Sequence, residues 1–187
     1  NADIAMYHAK ENGRNNFQFF NAEMNAQIVE RASLEQGLRE ALGRDEFVLE
    51  FQPALDVASG QILGAEALLR WRHPQLGVLP PERFIAVAEE CGLMVSIGNW
   101  VLRHACLRAR AWHDAGHAWR VAVNLSPAQC LHNNLLLSVQ EALAASGLPA
   151  ASLELEVTEA LLMKGGARLA GVLAQLRALG ARLAIDD

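Results

Sequence analysis

The sequence of 187 residues lacks two features that would mark a nucleic-acid-binding or membrane protein. It has no basic excess, since 16 Lys and Arg stand against 21 Asp and Glu, a formal net charge of -5. It therefore offers no broad positive surface for a DNA or RNA backbone. No apolar run approaches the roughly 20 residues of a membrane-spanning helix. With 52% hydrophobic residues, the composition favours a soluble globular domain with a well-developed core.

Cysteine is scarce as well. Cys91, Cys106 and Cys130 are odd in number and widely spaced, which fits neither a disulfide framework nor a zinc site. We expect three reduced thiols, in the core or near the surface. The first residues, Asn1-Ala2-Asp3-Ile4, contain no initiator Met and no signal-peptide pattern, and Asp186-Asp187 end the chain directly after an apolar run. We expect the chain to be an internal part of a longer protein.

The sequence contains a regular alternation of strand and helix patterns. Two strand patterns around the turn Ser59-Gly60 predict a β-hairpin, and glycines stop most of the helices after it. Strand, helix and strand in succession predict parallel βαβ units. The strands after the hairpin are too few to close an eight-stranded barrel, but they are the number that a barrel cut partway would leave. The predicted strands are 46–57, 61–71, 120–124, 153–158 and 182–187, and the predicted helices are 2–12, 21–44, 81–90, 96–115, 135–146 and 167–179.

Four consecutive predicted strands carry an acid or an amide at or near their ends. These residues are Glu66, Asn124, Glu156 and the pair Asp186-Asp187. Parallel-barrel enzymes place catalytic groups at the carboxyl ends of their strands. Oxygen ligands without His or Cys suit a hard ion such as Mg²⁺ or Mn²⁺, and paired acids that bridge two ions activate water against a phosphate ester. One interpretation of the pattern is therefore a metal-dependent hydrolase.

Each of these side chains also has a purely structural interpretation. Glu66 could pair with Arg70 inside the fold, and Asn124 could cap a helix. Glu154 and Glu156 could face solvent on an edge strand, and the final Asp pair could cap a following helix. The residue types and their spacing leave both interpretations open.

A family resemblance favours the metal-site interpretation over the structural one. The block Glu66-Ala67-Leu68-Leu69-Arg70-Trp71, followed by His73-Pro74, resembles the signature of EAL domains, which are cyclic di-GMP phosphodiesterases. Other blocks resemble the same family in the same order, so that the resemblance covers about residues 31–187. They are Phe51-Gln52-Pro53, Phe84-Ile85 with Ala88-Glu89-Glu90, Gly92-Leu93, Gly98-Asn99-Trp100-Val101-Leu102, Val123-Asn124-Leu125-Ser126, Leu153-Glu154-Leu155-Glu156-Val157-Thr158-Glu159 and Ala184-Ile185-Asp186-Asp187.

The first twenty residues carry a second resemblance. Ala2-Asp3-Ile4-Ala5-Met6-Tyr7, with Ala9-Lys10 and Gly13-Arg14-Asn15, is similar to the carboxyl end of a GGDEF (diguanylate cyclase) domain. The signature loop and nucleotide site of that domain are absent from this sequence. The resemblance implies a parent protein with GGDEF and EAL domains in tandem, and no cyclase activity is expected of this chain.

The resemblance implies an α/β fold of the EAL type, a TIM-like (β/α)8 barrel with an antiparallel first strand. We expect a partial EAL domain at 46–187, preceded by a connecting helix at 21–45 and a GGDEF remnant at 1–20. The resemblance also implies hydrolysis of cyclic di-GMP to linear pGpG by a water that a two-metal Mg²⁺ or Mn²⁺ site activates. Glu154 is expected to be structural and Glu159 to help start the next helix, and neither is expected among the metal ligands. The implied site residues are Glu66, Asn124, Glu156, Asp186 and Asp187 as metal ligands, with Asp186 and Asp187 also catalytic, and Gln52 and Arg70 as substrate contacts.

The family pattern continues beyond residue 187. A loop after the Asp pair, a Lys near the attacking water and further Glu residues have no counterpart in this sequence, so the isolated chain is expected to be inactive. The alternative is a non-catalytic module that binds cyclic di-GMP or another protein. The resemblance also implies a homodimer formed through the EAL domain, and a cytoplasmic location either as a free protein or as part of a membrane-bound sensor.

Overall fold

The computed structural model describes residues 22–132 and 134–186. The predicted helix at 2–12, the GGDEF resemblance and Asp187 lie outside the described residues.

Strands and helices alternate through the described chain. Helix α1 precedes a hairpin and a third short strand, and the remaining strands alternate with helices. The elements are α1 (Ala22–Ala41), β1 (Phe47–Leu55), β2 (Ile62–His73), β3 (Gly77–Leu79), a 3₁₀ turn (Pro81–Arg83), α2 (Ile85–Glu90), α3 (Met94–Asp114), β4 (Arg120–Asn124), α4 (Pro127–Leu131), α5 (Leu135–Ser146), a 3₁₀ turn (Ala150–Ser152), β5 (Leu153–Thr158), α6 (Glu159–Ala178) and β6 (Arg182–Asp186).

The strands form one mixed sheet in the order β1-β2-β4-β5-β6, with β3 paired to β2. Strands β1 and β2 are antiparallel, whereas β2, β4, β5 and β6 pair in parallel. This confirms the predicted hairpin, the parallel βαβ units and the antiparallel first strand pair. Within the described ranges no pairing joins β6 back to β1, so the sheet is open.

The two faces of the sheet differ in burial because strand side chains alternate. One face is packed against the helices, and its side chains on β2, β4 and β5 are buried. We call the opposite face the inner face. It carries Glu66, Arg70, Asn124 and Glu156, all of which are half-buried or exposed. The buried face is formed by Ala65, Ala67, Leu69, Trp71, Val121, Val123, Leu153, Leu155 and Val157.

The core lies between the buried face and the helices. Helix α3 contributes residues at a spacing of three and four, the pattern of an amphipathic helix: Met94, Ile97, Gly98, Val101, Leu102, Ala105, Cys106 and Ala109. Helix α1 packs through Leu34, Leu38 and Ala41. The ring of Phe47 lies about 6 Å from those of Trp71, Phe84 and Trp100, with centroid distances of 6.1, 6.0 and 5.9 Å.

Four elements differ from the sequence predictions. The segment between His73 and Pro81, where no strand or helix was predicted, contains β3, and a short helix α4 follows β4. The single helix predicted at 81–90 is a 3₁₀ turn at Pro81–Arg83 followed by α2. The last predicted helix began at residue 167, but α6 begins at Glu159. Its backbone is kinked at Gly166, where φ is 57°, a conformation that glycine adopts without steric cost. The prediction therefore found only the part of α6 after the kink.

The expected state of the cysteines is confirmed. All three are free thiols, with Cys106 and Cys130 buried and Cys91 half-buried. Burial raises the pKa of Cys106 to about 12 and that of Cys130 to about 11, so these two thiols stay protonated and unreactive. Among the described helices, none has the length and apolar character needed to cross a membrane.

Candidate functional site

Strand register brings the predicted site residues to one edge of the inner face. Asn124, the last residue of β4, lies beside Glu156 of β5. Glu66 of β2 is level with Ala122, two residues before Asn124, and Asp186 lies two residues after Ala184, the partner of Glu156. Because all these offsets are even, the four side chains share one face. Glu66, Asn124, Glu156 and Asp186 thus come from four neighbouring parallel strands.

A hydrogen bond joins two of these residues across the sheet. Asn124 Nδ2 donates to Glu66 Oε1 at 2.7 Å. Asn124 therefore does not cap α4. Ser126 does so instead, because its Oγ accepts from the backbone N–H of Gln129 while the Gln129 side chain accepts from the backbone N–H of Ser126. This capping box fixes the turn directly after Asn124.

Gln129 is a residue that the sequence analysis missed. Its side chain is 3% exposed and lies over Gly98 of α3, where a Cβ atom would come within 2.1 Å of the Gln129 amide carbon. The pattern Ser126-Pro127-Ala128-Gln129 is the signal that predicts this role, since a Ser or Thr followed three residues later by Glu or Gln starts many helices.

Glu156 lies where negative charge accumulates. Burial, together with the negative charges of Glu66, Asp186 and Glu154, raises the pKa of its carboxyl to about 7. Strand β5 lies between β4 and β6, so Glu156 is not the solvent-facing residue of an edge strand. A group of acids with this mutual repulsion is stabilised by a cation.

Glu154 has a different environment on the same face. Its Oε2 accepts from Nε of Arg182 at 3.1 Å and lies 3.8 Å from NH1 of Arg120. These arginines flank it on β6 and β4, so its charge is compensated within the sheet. Glu159 lies in the first turn of α6, which Thr158 caps, and an acid there interacts favourably with the helix dipole.

Arg70 is bound by an acid other than Glu66. Its Nε lies 2.8 Å from Oε2 of Glu50 on β1, and its NH1 donates to the backbone oxygen of Leu69 at 2.8 Å. The interior pair of Glu66 with Arg70, left open by the sequence, is thus replaced by a pair of Arg70 with Glu50. Sequence reasoning missed Glu50 because its proximity to Arg70 follows from the hairpin register.

Gln52 completes the arrangement on the hairpin side. It lies opposite Glu66 in the register of β1 and β2. A cavity of about 250 Å³ opens on this part of the inner face, and its walls include Gln52, Glu66, Ala122 and Glu156. The predicted substrate contact Gln52 and two predicted metal ligands therefore border one space.

The donor set fits a hard divalent ion in its chemistry. It consists of carboxylate oxygens and one amide, the ligand types that Mg²⁺ and Mn²⁺ prefer, and the repulsion around Glu156 supplies the charge that such an ion would neutralise. In the described part of the chain, no three His, Cys, Asp or Glu side chains are close enough together to hold a metal ion. Asp187, a further predicted ligand, lies outside the described residues.

The family model for the EAL domain matches residues 35–187. The chain belongs to the EAL domain family. Over 188 aligned residues it is 47% identical to the bifunctional diguanylate cyclase/cyclic di-GMP phosphodiesterase MucR of Pseudomonas aeruginosa, covering all of this chain and 27% of that protein. It is 43% identical to the cyclic di-GMP phosphodiesterase NbdA of the same organism. This match covers all of the present chain and 24% of that protein.

Solved EAL structures support the fold. The structure described as the PaMucR phosphodiesterase in complex with c-di-GMP has a TM-score of 0.80 and 46% identity to this chain. The match covers 82% of this chain and 63% of that one. The present EAL chain spans about a quarter of the length of these two curated relatives.

Proposed function

We propose that the whole protein hydrolyses cyclic di-GMP to linear pGpG with a water activated by divalent metal ions. The observation that carries this proposal is the convergence of Glu66, Asn124, Glu156 and Asp186 at one edge of the inner face, with uncompensated negative charge around Glu156. Similarity to relatives named as cyclic di-GMP phosphodiesterases supplies the substrate.

The charges of the residues in this chain suggest which would bind metal ions and which would bind the substrate. Glu66, Asn124, Glu156, Asp186 and Asp187 would hold two Mg²⁺ or Mn²⁺ ions, with Asp186 and Asp187 also acting as catalytic residues. Such ions lower the pKa of water and neutralise charge on a phosphoryl group. Arg70 would donate to substrate phosphate oxygens, because its planar guanidinium matches their geometry. Gln52, opposite Glu66, would contact the substrate from the hairpin side.

The proposal extends to the architecture and organisation of the whole protein. We propose a TIM-like eight-stranded barrel, because the inner face is polar and half-exposed and the described sheet is open. Residues 1–20 would be the end of a GGDEF domain, 21–45 a connecting helix and 46–187 the first part of the EAL domain. We also propose a homodimer formed through the EAL domain and a cytoplasmic location.

Metal-dependent hydrolysis by the whole protein tests the function. With Mg²⁺ or Mn²⁺ present, labelled cyclic di-GMP should be converted to pGpG. Excess EDTA should abolish turnover and added Mn²⁺ should restore it, because the acids around Glu156 need a cation to act together. Chromatographic separation of the labelled products measures the conversion. Intact cyclic di-GMP at every metal concentration would contradict the proposal.

The alternative function is binding of cyclic di-GMP without cleavage. It is favoured by the spacing of the described acids, which includes no group of three close enough for a metal ion. The same experiment decides between the two functions. Saturable binding of labelled cyclic di-GMP without pGpG formation, in metal-supplemented protein, would establish the binding module.

The isolated 187-residue chain is expected to give no measurable turnover even with Mg²⁺ or Mn²⁺. In its described residues the sheet is open and its inner face is in contact with water, so water is not excluded from the site as catalysis requires. The whole protein, assayed in parallel, is the positive control. Metal-dependent pGpG formation by the purified chain would show that the described strands suffice.

A further inference from the structure

The ion pair between Glu50 and Arg70 has no role in the function proposed above. Glu50 lies opposite Leu68 and Arg70 lies opposite Val48 in the hairpin register, so the two charged residues are diagonal neighbours on the inner face. The distance from Arg70 Nε to Glu50 Oε2 is 2.8 Å. The pair is therefore formed across the hairpin, on the face that also carries Gln52.

Two contacts hold the Arg70 guanidinium at one end. The Glu50 carboxylate forms an ion pair with Nε, and NH1 donates one N–H to the carbonyl oxygen of Leu69 at 2.8 Å. A guanidinium has five N–H donors in a planar fork. NH2 takes part in neither contact, so both of its N–H groups can donate to phosphate oxygens. The two contacts thus leave NH2 available for a phosphate.

The exposure of the two partners shows which one is held. The Arg70 side chain is 20% exposed, whereas that of Glu50 is 59% exposed. A mostly solvated Glu50 keeps much of its hydration and stabilises the fold little. Its main effect is on the orientation of the more buried arginine.

The pair also separates the roles of two acids on the inner face. Glu66 of β2 lies on the same face, and its Oε1 accepts from Asn124. Glu66 thus bonds toward β4 while Arg70 pairs toward β1, so the two residues have separate partners. A metal ligand and a phosphate-binding arginine can then lie four residues apart on one strand without neutralising each other.

We infer that Glu50 is a positioning residue that orients the Arg70 guanidinium for a phosphate of the substrate. The inference rests on the proposed function, and it deepens that function by naming a residue that sets substrate affinity. Glu50 itself does not contact the substrate. Its carboxylate repels an anionic ligand, so its orienting effect and its charge act in opposite directions on affinity.

Two variants of the whole protein separate these effects. Glu50→Ala should raise KM for cyclic di-GMP about three- to tenfold, the range expected when a long side chain loses its fixed rotamer, with kcat within about twofold. Glu50→Gln keeps a polar oxygen beside Arg70 Nε and removes the charge, so its KM should equal that of the wild type or fall below it. A KM for Glu50→Ala at or below the wild-type value would overturn the inference, because Glu50 would then act through charge alone.

A double-mutant cycle and a matched control complete the test. In the Arg70→Ala background, Glu50→Ala should have no further effect on KM. Glu40→Ala removes an exposed ion pair with Arg44, which lies in the turn after α1, and should leave KM unchanged. An equal effect of Glu50→Ala with and without Arg70 would contradict a positioning role.

Binding measured with EDTA present separates this inference from the proposed function. Without turnover, Glu50→Ala should weaken the binding of labelled cyclic di-GMP by the same three- to tenfold factor, and Glu50→Gln should not. This result would support the role of Glu50 even if the wild-type protein proved unable to cleave its ligand. If the wild-type protein cleaved cyclic di-GMP and Glu50→Ala bound it as tightly as the wild type, the inference about Glu50 would be refuted. The proposed function would stand.

Discussion

Glu156→Gln is expected to lower kcat for cyclic di-GMP hydrolysis by the whole protein by more than about a hundredfold. Loss of groups that merely orient metal ligands costs about 10- to 100-fold, and Glu156 is a proposed ligand. The variant is nearly isosteric and removes one of the mutually repelling charges around the site. The midpoint of thermal unfolding measured in EDTA should therefore not fall.

Glu154→Gln is the matched control for this prediction. The two acids lie two residues apart on the inner face of β5, but Glu154 is compensated by Arg120 and Arg182. Its replacement should change kcat by less than about threefold, because Glu154 is neither a proposed metal ligand nor a group that orients one, and the loss of such orienting groups costs about 10- to 100-fold. Steady-state assays of both variants in Mg²⁺ would make the comparison. Equal losses of kcat in both variants would show that activity depends on the overall negative charge of β5 and not on metal binding by Glu156.

Gly64→Ala is expected to destabilise the sheet by about 3 kcal/mol, the upper part of the range for overpacking. A Cβ atom at Gly64 would lie 2.4 Å from the backbone oxygen of Arg120, which cannot move aside as a flexible side chain can. Gly64 and Arg120 form the first of three residue pairs that join β2 to β4. The midpoint of thermal unfolding should fall by about 6 to 12 °C.

Hydrogen exchange localises this effect and a second glycine controls for it. Peptides from β2 and β4 should exchange faster in Gly64→Ala, while those from α5 should change less. Gly171→Ala in α6 meets no heavy atom within 4 Å and should be neutral or stabilising by up to about 1 kcal/mol, as expected for a helical glycine. A Gly64→Ala protein as stable as the wild type would show that the two strands can separate slightly without loss.

The sequence was sufficient to predict those strands and helices whose periodicity and end signals lie within their own residues. Strands β4 and β5 and helix α5 have the predicted bounds, because each is a short periodic run between clear stop signals, such as Gly147 with φ of 69° after α5. Strand β3 was missed because three residues carry no periodicity and depend on their pairing with β2. The first part of α6 was missed because Gly165-Gly166 reads as a break in the helix.

For the candidate site, the shared face of its residues was predictable from the sequence. The alternation of side chains places Glu66, Asn124, Glu156 and Asp186 on one face once the strands are parallel. Partner choice was not predictable, since it depends on register between strands. Arg70 pairs with Glu50, which the hairpin register places diagonally across from it, and not with Glu66 of its own strand. Asn124 likewise had a helix to cap, but Ser126 caps it.

The polar character of the inner face has a consequence for biosynthesis. A chain leaves the ribosome from its N-terminus, and partly folded intermediates with exposed apolar surface or open strand edges aggregate. Here the face that awaits any later strands carries the ion pairs of Glu50 with Arg70 and of Glu154 with Arg120 and Arg182. These groups are compatible with water and with one another, whereas an apolar face would favour association with other chains. The charged inner face should therefore disfavour face-to-face association of nascent chains while the sheet is still open.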